Sequence, residues 1–282
     1  MASLAGRTCL VTGATSGIGE ETALGLARLG ARVGLVGRDR RRTEAAADRV
    51  RRETGAGADV FLADLSSQVQ VRRLAGDVAA AYPRLEILVN NAGAIFGDRT
   101  LTPDGRERTW ALDHLAYVLL TLELLDLLKA SAPARIVNLA SSAHFRGHID
   151  VDDLDGARSY GAMKAYAQAK LGNVLFTLAL SRRLAGTGVT VNAVHPGVVA
   201  TRFASETGGW FGRGWRLIKP FLSTPADGAR TSIFAASAPE IEGVTGRYLA
   251  RSRVATPSRR ARDAALQDRV WDLSLRQVGH AP

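Results

Sequence analysis

The sequence has few residues of the kinds that build disulfide frameworks, metal centres and membrane spans. It contains one cysteine, Cys9, and five histidines in 282 residues. One cysteine cannot form an intrachain disulfide, which favours a reducing compartment, and we expect a cytoplasmic location. The histidines and carboxylates show no metal-ligand spacing, so we expect no metal. No apolar run approaches the length of about 20 residues that spans a bilayer, and the first predicted strand leaves no room for a signal peptide.

Lysine is also scarce, although the net charge is +10: almost all of the 37 basic side chains are arginine. Arginine runs occur at 38–42, 49–52 and 251–262. A nucleic-acid or anionic-membrane surface is one interpretation, and solvated helix faces are the other. The sequence contains no nucleic-acid-binding motif and no aromatic residues interleaved with the arginines. We therefore expect no nucleic-acid partner, although a positive field would attract an anionic dinucleotide.

Short apolar runs alternate along the whole chain with longer segments of helical period. The predicted strands are Thr8–Thr12, Arg32–Val36, Asp59–Ala63, Ile87–Val89, Arg135–Leu139, Val189–Val194 and Gly246–Ala250. The predicted helices are Gly17–Leu29, Arg40–Arg52, Gln68–Tyr82, Pro103–Lys129, Ala162–Leu184 and Pro225–Ala236. Runs that are apolar throughout indicate strands covered on both faces. The pattern predicts one α/β domain over residues 1–282, a Rossmann-like doubly wound parallel sheet of about seven strands, with its ligand at the carboxyl ends of the strands.

A glycine-rich turn follows the first predicted strand and opens a helix. Its spacing is G-x3-G-x-G, where glycine permits a tight turn and lets the backbone approach a pyrophosphate at the positive end of the helix. Many strand-to-helix turns use glycine for structure alone, but the position after the first strand favours dinucleotide binding. The residues expected to bind the cofactor here are Gly13, Thr15, Ser16, Gly17, Ile18 and Gly19.

The end of the second strand bears on the choice between NAD and NADP. NAD-binding proteins usually place an acid there for the ribose 2′-hydroxyl, whereas this chain has Gly37 followed by Arg38. A guanidinium can bind a 2′-phosphate that an acid would repel, so we expect NADP(H). Asp39 is one residue too far for the acid position, and we expect it to cap the next helix. The alternative is that Arg38 is one surface arginine among many.

The third and fourth strands end in further residues expected to bind the cofactor. The carboxylate of Asp64, followed by Leu65, could accept from the adenine amine. The small polar segment of Asn91, Ala92 and Gly93 suits close packing against a cofactor.

Hydroxyl groups follow the fifth strand, and a helix with tyrosine and lysine comes next. Ser141 and Ser142 could hold a substrate oxygen. Tyr166 and Lys170 share one helix face at i, i+4, and a nearby ammonium should lower the pKa of the phenol, making it a general acid or base. Tyr160 and Lys164 have the same spacing, so spacing alone leaves two candidates. His195 after the sixth strand, His114 and His144 are expected to be structural.

Taken together, these segments resemble the short-chain dehydrogenase/reductase family over nearly the whole chain. The glycine motif, Asn90–Gly93, the serine, tyrosine and lysine, and Pro196-Gly197 occur in that family's order. Stretches at 131–138, 170–177, 187–197 and 220–231 resemble the retinol-dehydrogenase-like branch, in a soluble form typical of bacterial members.

The resemblance implies roles that the residue chemistry left open. Ser141 matches the family's catalytic serine and Tyr166 its catalytic tyrosine. Lys170 would bind the ribose and tune the tyrosine. Pro196, Gly197, the Val199 backbone and Thr201 match the segment beside the nicotinamide, where Thr201 bonds the carboxamide.

One residue departs from the family pattern. Asp113, in Leu112-Asp113-His114-Leu115, stands where the family has an asparagine whose main-chain carbonyl holds a water bonded to the catalytic lysine. Aspartate supplies the same carbonyl and, if ionised, adds a negative charge near Lys170. We expect either that charge to act on Lys170 or the side chain to point away.

The sequence therefore predicts an NADP(H)-dependent oxidoreductase that transfers a hydride between nicotinamide and a carbonyl or alcohol. The alternatives are a non-redox dehydratase or epimerase on the same scaffold, and a non-catalytic dinucleotide-sensing protein. A substrate lid is expected at about 200–224; its aromatic residues suggest a lipophilic small-molecule substrate, although ordinary packing would use them equally well. A homodimer or homotetramer is left open. The aromatic residues are Trp210, Phe211, Trp215 and Phe221.

Overall fold

The computed structural model describes residues 1–197 and 224–281, and within them eight strands form one sheet. The strands are β1 (Thr8–Thr12), β2 (Arg32–Gly37), β3 (Ala58–Leu62), β4 (Ile87–Asn90), β5 (Ala134–Leu139), β6 (Val189–His195), β7 (Arg247–Ala250) and β8 (Arg253–Ala255). Their spatial order is β3-β2-β1-β4-β5-β6-β7-β8, and every pairing is parallel except that of β7 with β8. The Rossmann-like doubly wound sheet predicted from the sequence is confirmed.

Helices cover both faces of this sheet. They are α1 (Gly17–Arg28), α2 (Arg40–Thr54), α3 (Gln68–Ala81), α4 (Arg108–Trp110), α5 (Ala116–Glu123), α6 (Leu125–Ala130), α7 (Ala162–Arg183), α8 (Pro225–Ser237) and α9 (Ala264–Gln277). The apolar sides of α1, α2 and α8 build one core, and those of α3, α5, α7 and α9 build the other. The strands between these layers are buried on both faces, which explains their continuous apolar runs. No helix within the described ranges has both the length and the apolarity to cross a membrane.

The structure corrects three details of the sequence prediction. The helix expected over 103–129 begins only at Arg108, because the Glu107 carboxylate accepts from the Thr109 and Trp110 N–H groups, and it is interrupted by a π-helical turn, Ala111–Leu115. The eighth strand was missed because β8 has only three residues, none of them buried. Helix α9 was missed because charged residues dilute its pattern; Asp263 caps it.

The order of strands reverses between β1 and β4, and the site lies at the carboxyl edge beside this switch point. The Thr12 hydroxyl accepts from the Asn91 and Ala92 N–H groups at 2.8 and 3.0 Å, which ties the end of β1 to the end of β4. Val199, Thr201 and the expected lid at about 200–224, apart from its last residue, lie outside the described residues.

Candidate active site

The glycine turn after β1 is too tight for any other residue at its centre. Gly13 and Gly17 have φ of +65° and +61°, in the left-handed region that glycine adopts without strain. A Cβ on Gly19 would lie 2.3 Å from the Gly13 carbonyl oxygen and 2.4 Å from Asn91 Nδ2. Helix α1 therefore starts directly against the turn, and its first N–H groups face the carboxyl edge. This arrangement fits the pyrophosphate of a dinucleotide.

The other predicted residues of this turn lie in the same place. Thr15, Ser16 and Ile18 are all half-buried around the start of α1. Ser16 occupies the N-cap position with extended backbone, but its side chain does not cap the helix. The cap geometry thus leaves the first turn of α1 for a ligand, because helix N-termini carry unsatisfied donors.

Gly37, at the end of β2, is packed so closely by its neighbours that there is no room for a side chain unless they move. A Cβ there would lie 2.3 Å from Thr43 Oγ1 and 2.4 Å from Thr15 Cγ2. Arg38 is exposed at the next position. Asp39 caps α2, as the sequence predicts, and accepts from the Arg42 N–H at 2.9 Å. An acid that would repel a 2′-phosphate therefore has no space at position 37 without movement of its neighbours.

The remaining predicted cofactor residues lie along the same edge. Asp64 is half-buried, and its Oδ1 accepts from the backbone and hydroxyl of Ser66 at 2.9 and 2.7 Å, while Leu65 is buried. Asn91 Nδ2 donates to the Thr12 carbonyl at 2.8 Å, so this side chain holds the glycine turn in shape.

Ser141, Tyr166 and Lys170 converge beside this turn. Ser141 follows β5 and accepts from the Ala143 N–H at 3.2 Å, and its side chain also hydrogen-bonds to Tyr166. Tyr166 and Lys170 lie one turn apart on α7, and both are buried. The Lys170 ammonium is 5.5 Å from the centroid of the Tyr166 ring.

The pKa of Tyr166 moves in the direction opposite to the sequence expectation. Burial raises it above the ordinary value for a phenol, the charge of Asp113 raises it further, and the hydrogen bond with Ser141 opposes the rise. The expected lowering considered the charge of Lys170 but not the burial of the phenol, and the carboxylate of Asp113 adds to the rise.

That counter-ion is Asp113, in the π-helical turn. Its Oδ2 lies 3.0 Å from Lys170 Nζ, and both side chains are buried, with relative exposures of 0% and 3%. Its Oδ1 accepts from the Ala94 N–H at 2.8 Å. Burial raises the pKa of Asp113, and the Lys170 ammonium and the Ala94 N–H oppose that rise. The side chain therefore does not point away from Lys170, and its main-chain carbonyl accepts from Asn173 Nδ2 at 2.8 Å.

Tyr160, the second tyrosine candidate, is not part of this group. Its hydroxyl donates to the Phe96 carbonyl at 2.8 Å, in the loop that follows β4. The structure thus brings Ser141 together with Tyr166, and the spacing shared by the two tyrosines does not place Tyr160 beside it.

The three histidines considered from the sequence contact structural partners. His195 Nδ1 accepts from the Ser142 N–H, and His144 lies between the Ser141 carbonyl and the Ser258 N–H. His114 lies between Asn173 Oδ1 and Ser274 Oγ, at 3.1 and 2.8 Å. Burial lowers the pKa of His114 and that of His195 to about 4, so both rings are neutral near pH 7.

The segment after β6 is described only as far as Gly197. Pro196 and Gly197 are half-buried at the last positions described after β6, with Gly197 at φ +89°. Among the described residues, no three histidine, cysteine or carboxylate side chains are grouped so that they could hold a metal ion.

Sequence reasoning missed three residues that build the site. Thr12 joins β1 to β4, Tyr117 donates to the Ala92 carbonyl at 2.8 Å, and Asn173 also donates to the Leu139 carbonyl at 3.0 Å. Two of them carried a signal: Asn173 continues the i, i+4, i+7 face of Tyr166 and Lys170, and Tyr117 is four residues after Asp113.

The chain belongs to the short-chain dehydrogenase family, whose model, described as "short chain dehydrogenase", matches residues 7–210. Within it, the chain is retinol-dehydrogenase-like. It is 41% identical to human retinol dehydrogenase 14, over 97% of this chain and 87% of that protein. It is 43% identical to human retinol dehydrogenase 13, over 99% and 86% respectively. The family resemblance inferred from the motifs is confirmed.

Solved structures agree with this assignment. An uncharacterised protein from Mycobacterium paratuberculosis superposes with a TM-score of 0.82 at 33% identity, covering 100% of this chain and 96% of that one. A short-chain dehydrogenase from Burkholderia cenocepacia, solved in complex with NADP, gives a TM-score of 0.71 at 29% identity over 88% of this chain and 97% of that one. The chain is therefore an oxidoreductase of a family that uses nicotinamide dinucleotides.

Proposed function

We propose that this protein is an NADPH-dependent reductase of a lipophilic aldehyde or ketone, working in reverse as an alcohol dehydrogenase. The observation that carries the proposal is the convergence of Ser141, Tyr166 and Lys170 at the carboxyl edge, beside a glycine turn that has no space for a Cβ.

The residues of the edge fit a nicotinamide dinucleotide. The start of α1 at Gly17–Gly19 would hold the pyrophosphate, and Asp64 and Leu65 would contact the adenine. NADPH, when bound, supplies a hydride to the carbonyl carbon. The preference for NADP(H) rests on Gly37, where an acid would require Thr43 and Thr15 to move, and on Arg38 beside it, because a guanidinium binds phosphate through charge-assisted hydrogen bonds.

The chain's own residues handle the proton and the oxygen. Ser141 would hydrogen-bond the substrate oxygen and orient it toward Tyr166. As the carbonyl π bond breaks and the carbon takes up the hydride, Tyr166 would donate its phenolic proton to the oxygen, giving the alcohol. Solvent would then return a proton to the tyrosinate. Lys170 would bind the ribose through N–H donors not directed at Asp113.

The proposed substrate class rests on the names of the relatives and on sequence. Two relatives are named retinol dehydrogenases, and retinol is a lipophilic alcohol. The aromatic residues expected in a lid over 200–224 point in the same direction. We also propose a cytoplasmic location, on the single cysteine, Cys9.

A cofactor-consumption assay tests the function. The protein is incubated with NADPH or NADH and a panel of aldehydes and ketones of increasing chain length, and absorbance at the reduced nicotinamide band is followed. We expect turnover with NADPH that rises with substrate apolarity. Binding of NADPH without oxidation of any alcohol or reduction of any carbonyl would favour the non-redox enzyme or the dinucleotide sensor.

A further inference from the structure

Asp113 and Lys170 form a buried ion pair in the candidate active site. The carboxylate oxygens contact Lys170 Nζ and the Ala94 N–H at 3.0 and 2.8 Å. A Cβ on Gly93 would lie 2.7 Å from Asp113 Oδ2, so the carboxylate fills the space beside that glycine. Asn173 bonds the main-chain carbonyl of Asp113, and Ala94 and Lys170 contact its two carboxylate oxygens, so Asp113 is contacted at both its main chain and its side chain.

This pair changes the charge that Tyr166 experiences. Lys170 faces it from its own helix, Asp113 from the π-helical turn, Tyr117 from α5 and Ser141 from the end of β5. Glu107 lies behind Asp113, and its charge acts on that carboxyl. The nearby rings of His114, His144 and His195 have pKa values lowered by burial, so they add no positive charge near neutrality.

The sum of these charges decides the protonation state of the phenol. An ammonium alone within reach of Tyr166 would favour tyrosinate, because opposite charges stabilise the ionised form. A carboxylate at 3.0 Å from that ammonium opposes this effect, and burial of the phenol favours the neutral form as well. Tyr166 therefore keeps its phenolic proton, which a substrate oxygen can take.

We infer that Asp113 is a positioning residue that neutralises Lys170, keeps Tyr166 as a phenol, and so sets the enzyme for carbonyl reduction at neutral pH. The part of the inference that concerns carbonyl reduction rests on the proposed function. The part that concerns the protonation state of Tyr166 does not depend on it. Asp113 acts through its charge, on the Lys170 ammonium and on Tyr166, and touches no reacting atom.

The decisive measurement is the tyrosinate absorbance near 295 nm of the protein without cofactor, titrated from pH 7 to pH 11.5. The signal of Tyr166 is obtained as the difference between each protein and its Tyr166→Phe partner. In the natural protein we expect no Tyr166 signal in this range. In Asp113→Asn the signal should appear, moved down by roughly 1–3 pH units, because the ammonium has lost its counter-ion. Circular dichroism checks that the variant is folded.

Glu86→Gln is the matched control. Glu86 is another buried carboxylate, 4% exposed, but it precedes β4 at the opposite edge of the sheet, where it accepts from the Thr8 N–H. Its replacement should leave the Tyr166 signal out of range. Equal shifts in the two variants would overturn the assignment to Asp113, as would an unshifted Tyr166 in folded Asp113→Asn.

The natural protein offers a second test that needs no variant. Alcohol oxidation requires the tyrosinate, so its rate should still be rising at pH 10, while carbonyl reduction should be near its maximum at pH 7. An oxidation profile that levels off near pH 7 to 8 would overturn the inference. Absence of any redox turnover would instead remove the proposed function, and the absorbance titration would still decide the role of Asp113.

Discussion

Gly19→Ala should damage the cofactor site out of proportion to the size of a methyl group. The added Cβ would lie 2.3 Å from the Gly13 carbonyl oxygen, whereas ordinary contacts begin near 3.4 Å, so the start of α1 must move by about 1 Å. Overpacking of this kind costs roughly 1–3 kcal/mol, and the better helix propensity of alanine returns at most about 1 kcal/mol. We expect a net loss of stability of up to about 2 kcal/mol.

The same substitution at two other helical glycines provides the controls. At Gly25 the new Cβ would lie 2.2 Å from Ile233 Cδ1, the far end of a side chain that can rotate away. At Gly76, exposed on α3, nothing lies within 4 Å, and alanine should stabilise by roughly 0.5–1 kcal/mol. The three variants therefore compare a clash with backbone atoms at Gly19, a contact with a movable side chain at Gly25, and open space at Gly76.

The assays are thermal unfolding and titration with NADPH, followed by nicotinamide fluorescence. Each kcal/mol corresponds to about 2–4 °C in a chain of this size, so Gly19→Ala should melt several degrees lower and Gly76→Ala slightly higher. NADPH affinity should fall at least roughly tenfold in Gly19→Ala alone, since about 1.4 kcal/mol of lost binding is tenfold. If Gly19→Ala matched Gly25→Ala in both melting temperature and NADPH affinity, the reasoning from the tight turn would fail.

Two further predictions concern the proposed chemistry. Tyr166→Phe should lower turnover by roughly two to four orders of magnitude with NADPH binding kept, whereas Tyr160→Phe should stay near the natural rate; the reverse outcome would exchange the two roles. Arg38→Leu should weaken NADPH by about 1.5–3 kcal/mol, or roughly 10- to 150-fold, and leave NADH unchanged, with Arg41→Leu as the neighbouring control. Equal affinities of the natural protein for the two cofactors would contradict the assignment of Arg38.

The sheet could be predicted from the sequence because its strands are buried on both faces. Both ends of β1, Thr8–Thr12, were predicted correctly, and the prediction of β2 ended at Val36, one residue before its observed end at Gly37. Elements without an apolar run escaped prediction: β8 is an exposed edge, and α9 mixes charged residues into its pattern. The sequence of the π-helical turn at Ala111–Leu115 carries no signal that marks it as an interruption of the helix.

For the site, the sequence predicted which residues meet but not how deeply the phenol of Tyr166 is buried. Tyr166 and Lys170 were expected together, and they lie one turn apart. The charge of Asp113 was foreseen, but its distance from Lys170 depends on the π-helical turn and on Asn173, 60 residues further along the chain. Local spacing encodes neither that contact nor the burial of the phenol, and burial is the largest cause of the raised pKa of Tyr166.

The helix that ends the described chain anchors the segment that carries Asp113. Ser274 contacts His114, and Gln277 accepts from Trp110 Nε1 at 2.7 Å, so two residues of α9 hold the last residue of α4 and the π-helical turn that follows it. A chain cut before Ala264 would retain every residue proposed to touch cofactor or substrate and would pass any search for their motifs. It would nevertheless leave a buried indole and a buried imidazole without these partners. In this family member, an intact motif set is therefore insufficient grounds for assigning activity to a shortened sequence.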